Sequence, residues 1–402
     1  MKYAVILCDG MADYKIPELS GKTPMEVAHK PYMDMLAKTS LCGMVQHVPA
    51  SMVPESDTAN LSVMGYDPLV YSKGRSPLEA MSMGLSMDAD DTAFRTNVVT
   101  LTGYGKYEDL TIIDHSAGEI STEEADELIK AVNEAFANDE RRWFTGVSYR
   151  HCLIWKNCPG EYNFNRPHDI LGKRIGDYLP VGRVGDVYRK LMEASYDVLK
   201  DHPVNKKRVA EGKNPANSIW LWSPGKKPAL PDFYEKYGKK MAVISAVDLI
   251  KGIGVCAGAD VLNVEGATGN FKTNYAGKGN AAVDAFKNGS DLVYVHVEAP
   301  DESGHGANLD EKIKSIELID KHVLGPVYEY LKASGEDFKI MVSPDHPTPV
   351  SRRTHTHEPV PFIIYDSANP ENGIDVYSED NCEATGLYLG EGNTLMDSFI
   401  KE

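Results

Sequence analysis

Five short apolar runs punctuate the chain: Tyr3–Cys8, Met241–Ser245, Leu292–Val297, Lys339–Ser343 and Pro361–Tyr365. Each is too short for a stable helix and rich in β-branched or aromatic residues. None alternates with polar positions, which is how parallel strands buried on both faces read. Helical spacing takes over between several of them. From Leu309 to Leu331, the residues Ile313, Ile316, Leu318, Ile319, Val323, Val327 and Leu331 recur at mostly three- and four-residue intervals, which predicts a βαβ unit. Pro326 breaks or kinks that helix in this reading.

The middle of the chain has a different pattern. Asn97–Leu101, Thr111–Ile113 and Leu153–Lys156 are strand-like, and Ser121-Thr122-Glu123-Glu124 reads as a capping box. It opens a helical face of Ala125, Leu128, Ile129, Val132 and Phe136. A polar stretch from Asn205 to Asn217 reads as a loop before Trp220-Leu221-Trp222, the kind of place where an inserted domain returns to its host. The expectation is an α/β fold with a discontinuous core, residues 1–88 and 219–402. That core is a mainly parallel sheet flanked by helices, and a smaller α/β insert, residues 89–218, interrupts it.

Charge narrows the partners. Against 42 Lys and Arg stand 59 Asp and Glu, a formal charge of −17 that disfavours nucleic acid and anionic membrane surfaces and favours a small molecule. The six cysteines form no C-x-x-C pair and no disulfide framework, so they read as reduced thiols of a cytoplasmic protein. No apolar run has the length of a membrane span.

Three predicted strands end close to an aspartate: Asp9 after Tyr3–Cys8, Asp301 after Leu292–Val297, and Asp345 after Lys339–Ser343. Ligands gather at the carboxyl ends of strands in open α/β sheets. Asp301 and His305 are four apart, Asp345 and His346 are adjacent, and His355 lies upstream of Pro361–Tyr365. One strand-end aspartate is more often a cap or turn former. Three, joined by three histidines, exceed the needs of one structural zinc and suit two Mn²⁺ or Zn²⁺ ions with open positions for phosphoryl transfer. Ser56, where a loop enters the helical stretch Ala59–Met64, can supply the nucleophile; equally, Ser56 or Asp57 can merely cap that helix.

These residues carry a resemblance. Cys8-Asp9-Gly10-Met11-Ala12-Asp13, the run Ser56 to Pro68, Gly74–Ala80, Pro215–Trp222, Glu298–His305, Asp345-His346 and His355-Thr356-x-x-Pro359-Val360-Pro361 resemble the archaeal-type cofactor-independent phosphoglycerate mutases of the alkaline phosphatase superfamily. Ser76 departs from the pattern, and Pro347-Thr348-Pro349 follows the Asp-His pair; neither removes a ligand. The resemblance implies an alkaline-phosphatase-like core and a phosphoserine intermediate on Ser56. It implies one divalent ion on Asp9, Ser56, Asp345 and His346, and a second on Asp301, His305 and His355. Mn²⁺ is the first choice, with Zn²⁺, Mg²⁺ and Co²⁺ as alternatives, and no 2,3-bisphosphoglycerate is needed.

A phosphorylated carboxylate needs fixed cations. The candidates are Arg75, Arg95, Arg150 with His151, Lys240, Lys272 and Lys278, beside His168 and Asp169. The resemblance favours Arg150, His168 and Asp169, the last two for proton transfer. The Gly266–Asn270 loop lacks the Walker pattern, so ATP is not implied. Three other readings share the metals or part of the core: a homoserine-kinase-type phosphotransferase, a phosphomonoesterase, and a non-catalytic phosphometabolite sensor. A homo-oligomer is compatible with all of them.

Overall fold

Strands and their order account for where the chemistry sits. In chain order they are β1 (Lys2–Cys8), β2 (Ser40–Val45), β3 (Asp91–Thr102), β4 (Thr111–Asp114), β5 (Arg141–Val147), β6 (Arg150–Lys156) and β7 (Ser218–Lys226). There follow β8 (Met241–Ile244), β9 (Asp260–Leu262), β10 (Leu292–Val297), β11 (Phe338–Ser343), β12 (Val360–Asp366) and β13 (Tyr388–Leu389). The computed structural model describes residues 1–401 and divides into two units, Met1–Ser72 with the chain from Ala229 onward, and Lys73–Pro228.

The first unit holds an eight-stranded sheet of order β13-β2-β12-β11-β1-β10-β8-β9. β1 runs parallel to β10 and to β11, and six of its seven residues are buried, because neighbours cover both edges and helices cover both faces. The Pro361–Tyr365 run does form a strand, β12, but it pairs antiparallel with β11 and with β2, a correction to the all-parallel reading of the five runs. A strand buried on both faces is apolar whichever way it runs, so the pattern does not encode direction. β2 itself (SLCGMV) gave no signal, since Gly43 and Ser40 dilute the run.

The predicted helix Leu309–Leu331 is interrupted earlier than Pro326 suggests. It is a helix at Leu309–Ile319, a π-turn at Asp320–Leu324 and a second helix at Gly325–Ser334, with Pro326 in its first turn, where a missing N–H costs nothing. At the π-turn a buried aspartate meets the first residues of the helix Pro31–Ala37. The Asp320 carboxylate accepts hydrogen bonds from the backbone N–H groups of Tyr32 and Met33, at 3.2 and 2.7 Å.

The second unit is a separate antiparallel sheet, β4-β3-β6-β5, with β7 also paired to β3. Trp143, Leu153, Trp155, Ile129, Tyr188 and Trp220 belong to its own apolar core. It is wider than residues 89–218. The helix Arg75–Ser82 packs on β7 and β3, Ser76 Oγ donates to Ser223 O, and the Arg95 N–H donates to Ser76 Oγ at 3.1 Å. A Cβ on Gly225 would lie 2.5 Å from Lys73 O, so this contact depends on glycine. The expected loop Asn205–Asn217 starts as a helix, Pro203–Ala210, held by Asn205 Nδ2 donating to the carbonyls of Leu199 and Ala216.

Candidate metal centre

β1, β10 and β11 are adjacent and parallel, with Cys8 beside Val297 and Leu7 beside Ser343, so the segments that follow them leave one edge of the sheet together. Asp9 follows β1 directly, Asp345 follows β11 by two residues, and Asp301 lies in the helix Ala299–His305 that follows β10. Gly10 makes the approach close enough. It has φ +62°, its N–H donates to Asp345 Oδ1 at 3.1 Å, and a Cβ there would sit 2.6 Å from Asp301 Oδ1.

Ser56 is the first residue of the helix Ser56–Val63, not its cap; that place belongs to Glu55, whose side chain makes no capping bond. Its hydroxyl lies 3.2 Å from His346 Nε2. One turn on, Asn60 Nδ2 donates both to Ser56 O (2.8 Å) and to Asp345 Oδ2 (2.9 Å), and its Oδ1 accepts from Tyr294 O–H (2.6 Å). Asn60 thus ties the Ser56 backbone to the Asp345 carboxylate. The sequence reading passed over both it and Tyr294.

Hydrogen bonding assigns the tautomers. Nδ1–H of His305 donates to Arg353 O at 3.1 Å, Nδ1–H of His355 to Pro54 O at 2.5 Å, and Nδ1–H of His346 to Thr348 Oγ1 at 3.3 Å. All three rings therefore turn Nε2 lone pairs inward. His305 and His355 place theirs 2.9 Å apart, with Asp301 carboxylate oxygens 3.2 and 3.3 Å away. Asp9 Oδ1 is buried without a hydrogen-bond partner, while its Oδ2 accepts from Nε2–H of His296 at 2.9 Å. His296, whose Nδ1 accepts from Ser245 O–H at 3.1 Å, is neutral, since burial pushes its pKa down to about 3. The signal for it was one polar residue inside the apolar run Leu292–Val297.

Asp9, Asp345 and His346 form one convergent group and Asp301, His346 and His355 another, with ligand atoms within 4.8 Å in each. Burial, then the charges of Asp345, Asp301 and Glu298, hold the Asp9 carboxyl well above the usual carboxylate range. Glu298, missed by the sequence reading, is pushed up to about 8 by burial and then by the charges of Asp301 and Glu302. So many facing lone pairs and buried carboxyls fit divalent cations.

Without a cation, His305 takes a proton: its bond to Asp301 raises its pKa to about 9. Since the folded value is raised, the proton is held below about pH 9 and lost above it, so a cation must displace it at neutral pH. Binding of Mn²⁺ at pH 7 is expected to release at least one proton, with the release declining toward pH 9. Calorimetry in buffers of different ionisation enthalpy measures this, and binding without proton release at pH 7 would contradict the assignment.

The cationic candidates fare differently. Lys240 precedes β8, at the edge where the parallel strands begin, the opposite edge from Asp9, so it does not join the centre. Lys278 is fully buried on the helix Tyr275–Lys287, donates to His296 O at 2.9 Å and is lowered to about 8 by burial. It is a cation beneath the carboxylates rather than a loop residue over a phosphate. Lys272 is an exposed loop residue. In the second unit, Arg95 is paired with Glu79 and lies over the Trp222 ring at 4.7 Å, and Arg75 opens its helix. His151 is buried and neutral, lowered to about 4 by burial.

Arg150, His168 and Asp169 are exposed there, with His168 Nε2 3.6 Å from Asp169 Oδ1. His115, not singled out from sequence, joins this group: its ring lies 6.0 Å from that of His168 and 5.6 Å from that of Tyr149, and its Nδ1 has no hydrogen-bond partner. Trp222, 5.5 Å from the His168 ring, also lines a cleft of about 830 Å³ with Arg166, Lys73 and Lys226.

Over 404 residues the chain is 48% identical to the 2,3-bisphosphoglycerate-independent phosphoglycerate mutase of Methanosarcina acetivorans, covering all of both chains. The chain belongs to the 2,3-bisphosphoglycerate-independent phosphoglycerate mutase family. The sequence model of that mutase family matches residues 37–205. Among solved structures, a cofactor-independent phosphoglycerate mutase from Thermoplasma acidophilum is similar with a TM-score of 0.70 and 27% identity, covering 100% of this chain and 99% of its own. A protein from Pyrococcus horikoshii is similar with a TM-score of 0.82 and 28% identity, covering 99% and 96%. Among the described residues, no helix is long and apolar enough to cross a membrane.

Proposed function

We infer that this chain is a metal-dependent isomerase interconverting 3-phosphoglycerate and 2-phosphoglycerate without 2,3-bisphosphoglycerate. The observation that carries the reading is the end-to-end relation to a mutase at 48% identity. In this reading two divalent ions, Mn²⁺ first, are held by Asp9, Ser56, Asp345 and His346 and by Asp301, His305 and His355. When bound, they neutralise charge on the transferring phosphoryl group and lower the pKa of the Ser56 hydroxyl.

Ser56 Oγ forms a bond to phosphorus as the bond from phosphorus to the 3-oxygen of the substrate breaks. The phosphoryl group rests on Ser56, and glycerate is left with a protonated 3-oxygen. Glycerate reorients, its 2-oxygen gives up a proton and attacks phosphorus, and Ser56 leaves. His168 and Asp169 are assigned the proton transfers, and Arg150 the substrate's negative charge. His115 joins them as a further imidazole within reach of His168.

The test is conversion of 3-phosphoglycerate to 2-phosphoglycerate by purified protein with Mn²⁺ and without 2,3-bisphosphoglycerate. Conversion is expected with metal and is expected to fall to background in chelator. Release of inorganic phosphate without 2-phosphoglycerate would replace the mutase with a phosphomonoesterase. Phosphorylation of homoserine from a nucleotide donor in place of conversion would replace it with a kinase.

A further inference from the structure

The helix Leu309–Ile319 carries a lysine that no sequence pattern marks as functional. Lys312 is fully buried, and its ammonium has three N–H donors and three oxygen acceptors: Asp13 Oδ2 at 2.8 Å, Thr348 O at 2.7 Å and Ala12 O at 3.4 Å. Two of these acceptors belong to the loop that follows Asp9, the third to the loop that follows His346. The lysine itself is on the helix next after the one bearing Asp301 and His305. One ammonium therefore ties the loops that follow Asp9 and His346 to the helix next after the one bearing Asp301 and His305. Asp13 is held in turn: its Oδ1 accepts from the Tyr14 N–H, its Oδ2 from the Val350 N–H, and its own N–H donates to Glu379.

Thr348 carries the connection to the ligands. Its hydroxyl accepts from Nδ1–H of His346, 3.3 Å away, and donates to Asp301 Oδ1. His346 and Asp301 are assigned to different ions, so this one hydroxyl spans the two halves of the centre. Its backbone packs closely on Gly304, where a Cβ would lie 2.3 Å from Thr348 O, so the approach depends on glycine.

We propose that Thr348 and Lys312 are a positioning pair: Lys312 clamps the Thr348 backbone, and the Thr348 hydroxyl sets the spacing and orientation of His346 and Asp301 across the two-metal centre. The proposal rests on the metal assignment above. Groups that orient metal ligands typically change affinity or activity by about 10- to 100-fold when removed.

Thr348→Val keeps the shape and removes the hydroxyl, and Thr348→Ser restores it. Calorimetric titration of metal-free protein with Mn²⁺ alone, well below each variant's Tm, is the primary reading. Thr348→Val is expected to weaken Mn²⁺ binding at one or both sites by about tenfold or more. Its kcat for 3-phosphoglycerate is expected to fall about 10- to 100-fold with KM within about twofold, and Thr348→Ser is expected to restore both. Lys312→Met combined with Asp13→Asn removes both buried charges at once, leaves neither unpaired, and is expected to lose Mn²⁺ affinity in the same way. A Thr348→Val isotherm and kcat equal to wild type, with only Tm lowered, would reduce the pair to a structural contact and overturn the proposal. Wild-type protein that binds no Mn²⁺ would instead overturn the metal assignment on which it rests.

Discussion

Ser56→Ala is expected to lower turnover of 3-phosphoglycerate by at least about a thousandfold while leaving the protein folded and still able to bind Mn²⁺. The fold should tolerate the change, because Ser56 is the first helical residue rather than a cap, and its backbone carbonyl keeps the bond from Asn60 Nδ2. What the variant loses is the one hydroxyl set 3.2 Å from His346 Nε2 at the head of a helix, where N–H groups face an incoming anion. Brief mixing of wild-type protein with 3-phosphoglycerate, acid quench and peptide mass analysis should find phosphate on Ser56, and none in the variant. Undiminished mutase activity in Ser56→Ala would remove the phosphoserine from the mechanism.

Asp301→Asn is expected to cost at least about a thousandfold in kcat and to reduce Mn²⁺ stoichiometry from two to one. The carboxylate faces Nε2 of His305 and of His355 at 3.2 and 3.3 Å, and those two nitrogens are 2.9 Å from each other. In the carboxamide one oxygen becomes an NH₂ donor, which can satisfy an imidazole lone pair and so compete with a cation for it. Burial opposes ionisation of Asp301, yet the bonds from His305 and His355 more than offset it and hold the carboxyl well below the usual range. That balance stabilises the metal-free fold at neutral pH and is lost as pH falls through the depressed value. The variant should lack this acid-sensitive contribution, which acid titration of the metal-free proteins, followed by circular dichroism, measures directly. Two bound ions with wild-type kcat would show that Asp301 is not a ligand.

The proposed ligands are legible in the sequence because each is a charged or imidazole residue placed soon after an apolar strand end: Asp9, Asp301, His305, Asp345 and His346. What organises them was not. Lys312 and Lys278 look in sequence like any solvated lysine, and only the topology puts each at zero exposure, Lys312 on Asp13 and on Ala12 O 300 residues away, Lys278 on His296 O 18 residues away. Thr348, Asn60 and Tyr294 are ordinary core or turn residues until their partners are known. Lys240 shows the reverse error: being next to a strand says nothing about which end of the sheet it occupies. The reach of the insert, from Lys73 rather than residue 89, was hidden because Gly225 and Ser76 announce their packing only through the distant residues they touch. The direction of β12 was lost for a simpler reason, that alternation and apolarity are properties of one strand while direction belongs to a pair.

The position of β1 also governs when the centre can exist. This strand, bearing Asp9 at its end, is complete within the first eight residues, yet both its neighbours in the sheet, β10 and β11, lie beyond residue 290. During synthesis a ribosome adding about 5–20 residues per second takes on the order of tens of seconds to supply them. Throughout that interval a segment that is apolar from Tyr3 to Cys8 has no native edge to pair with, while the local antiparallel sheet of the insert can already form. By topology, every strand of the insert is synthesised before either partner of β1. A centre built from the proposed ligands would correspondingly be completed late, only after Asp345, His346 and His355 have emerged.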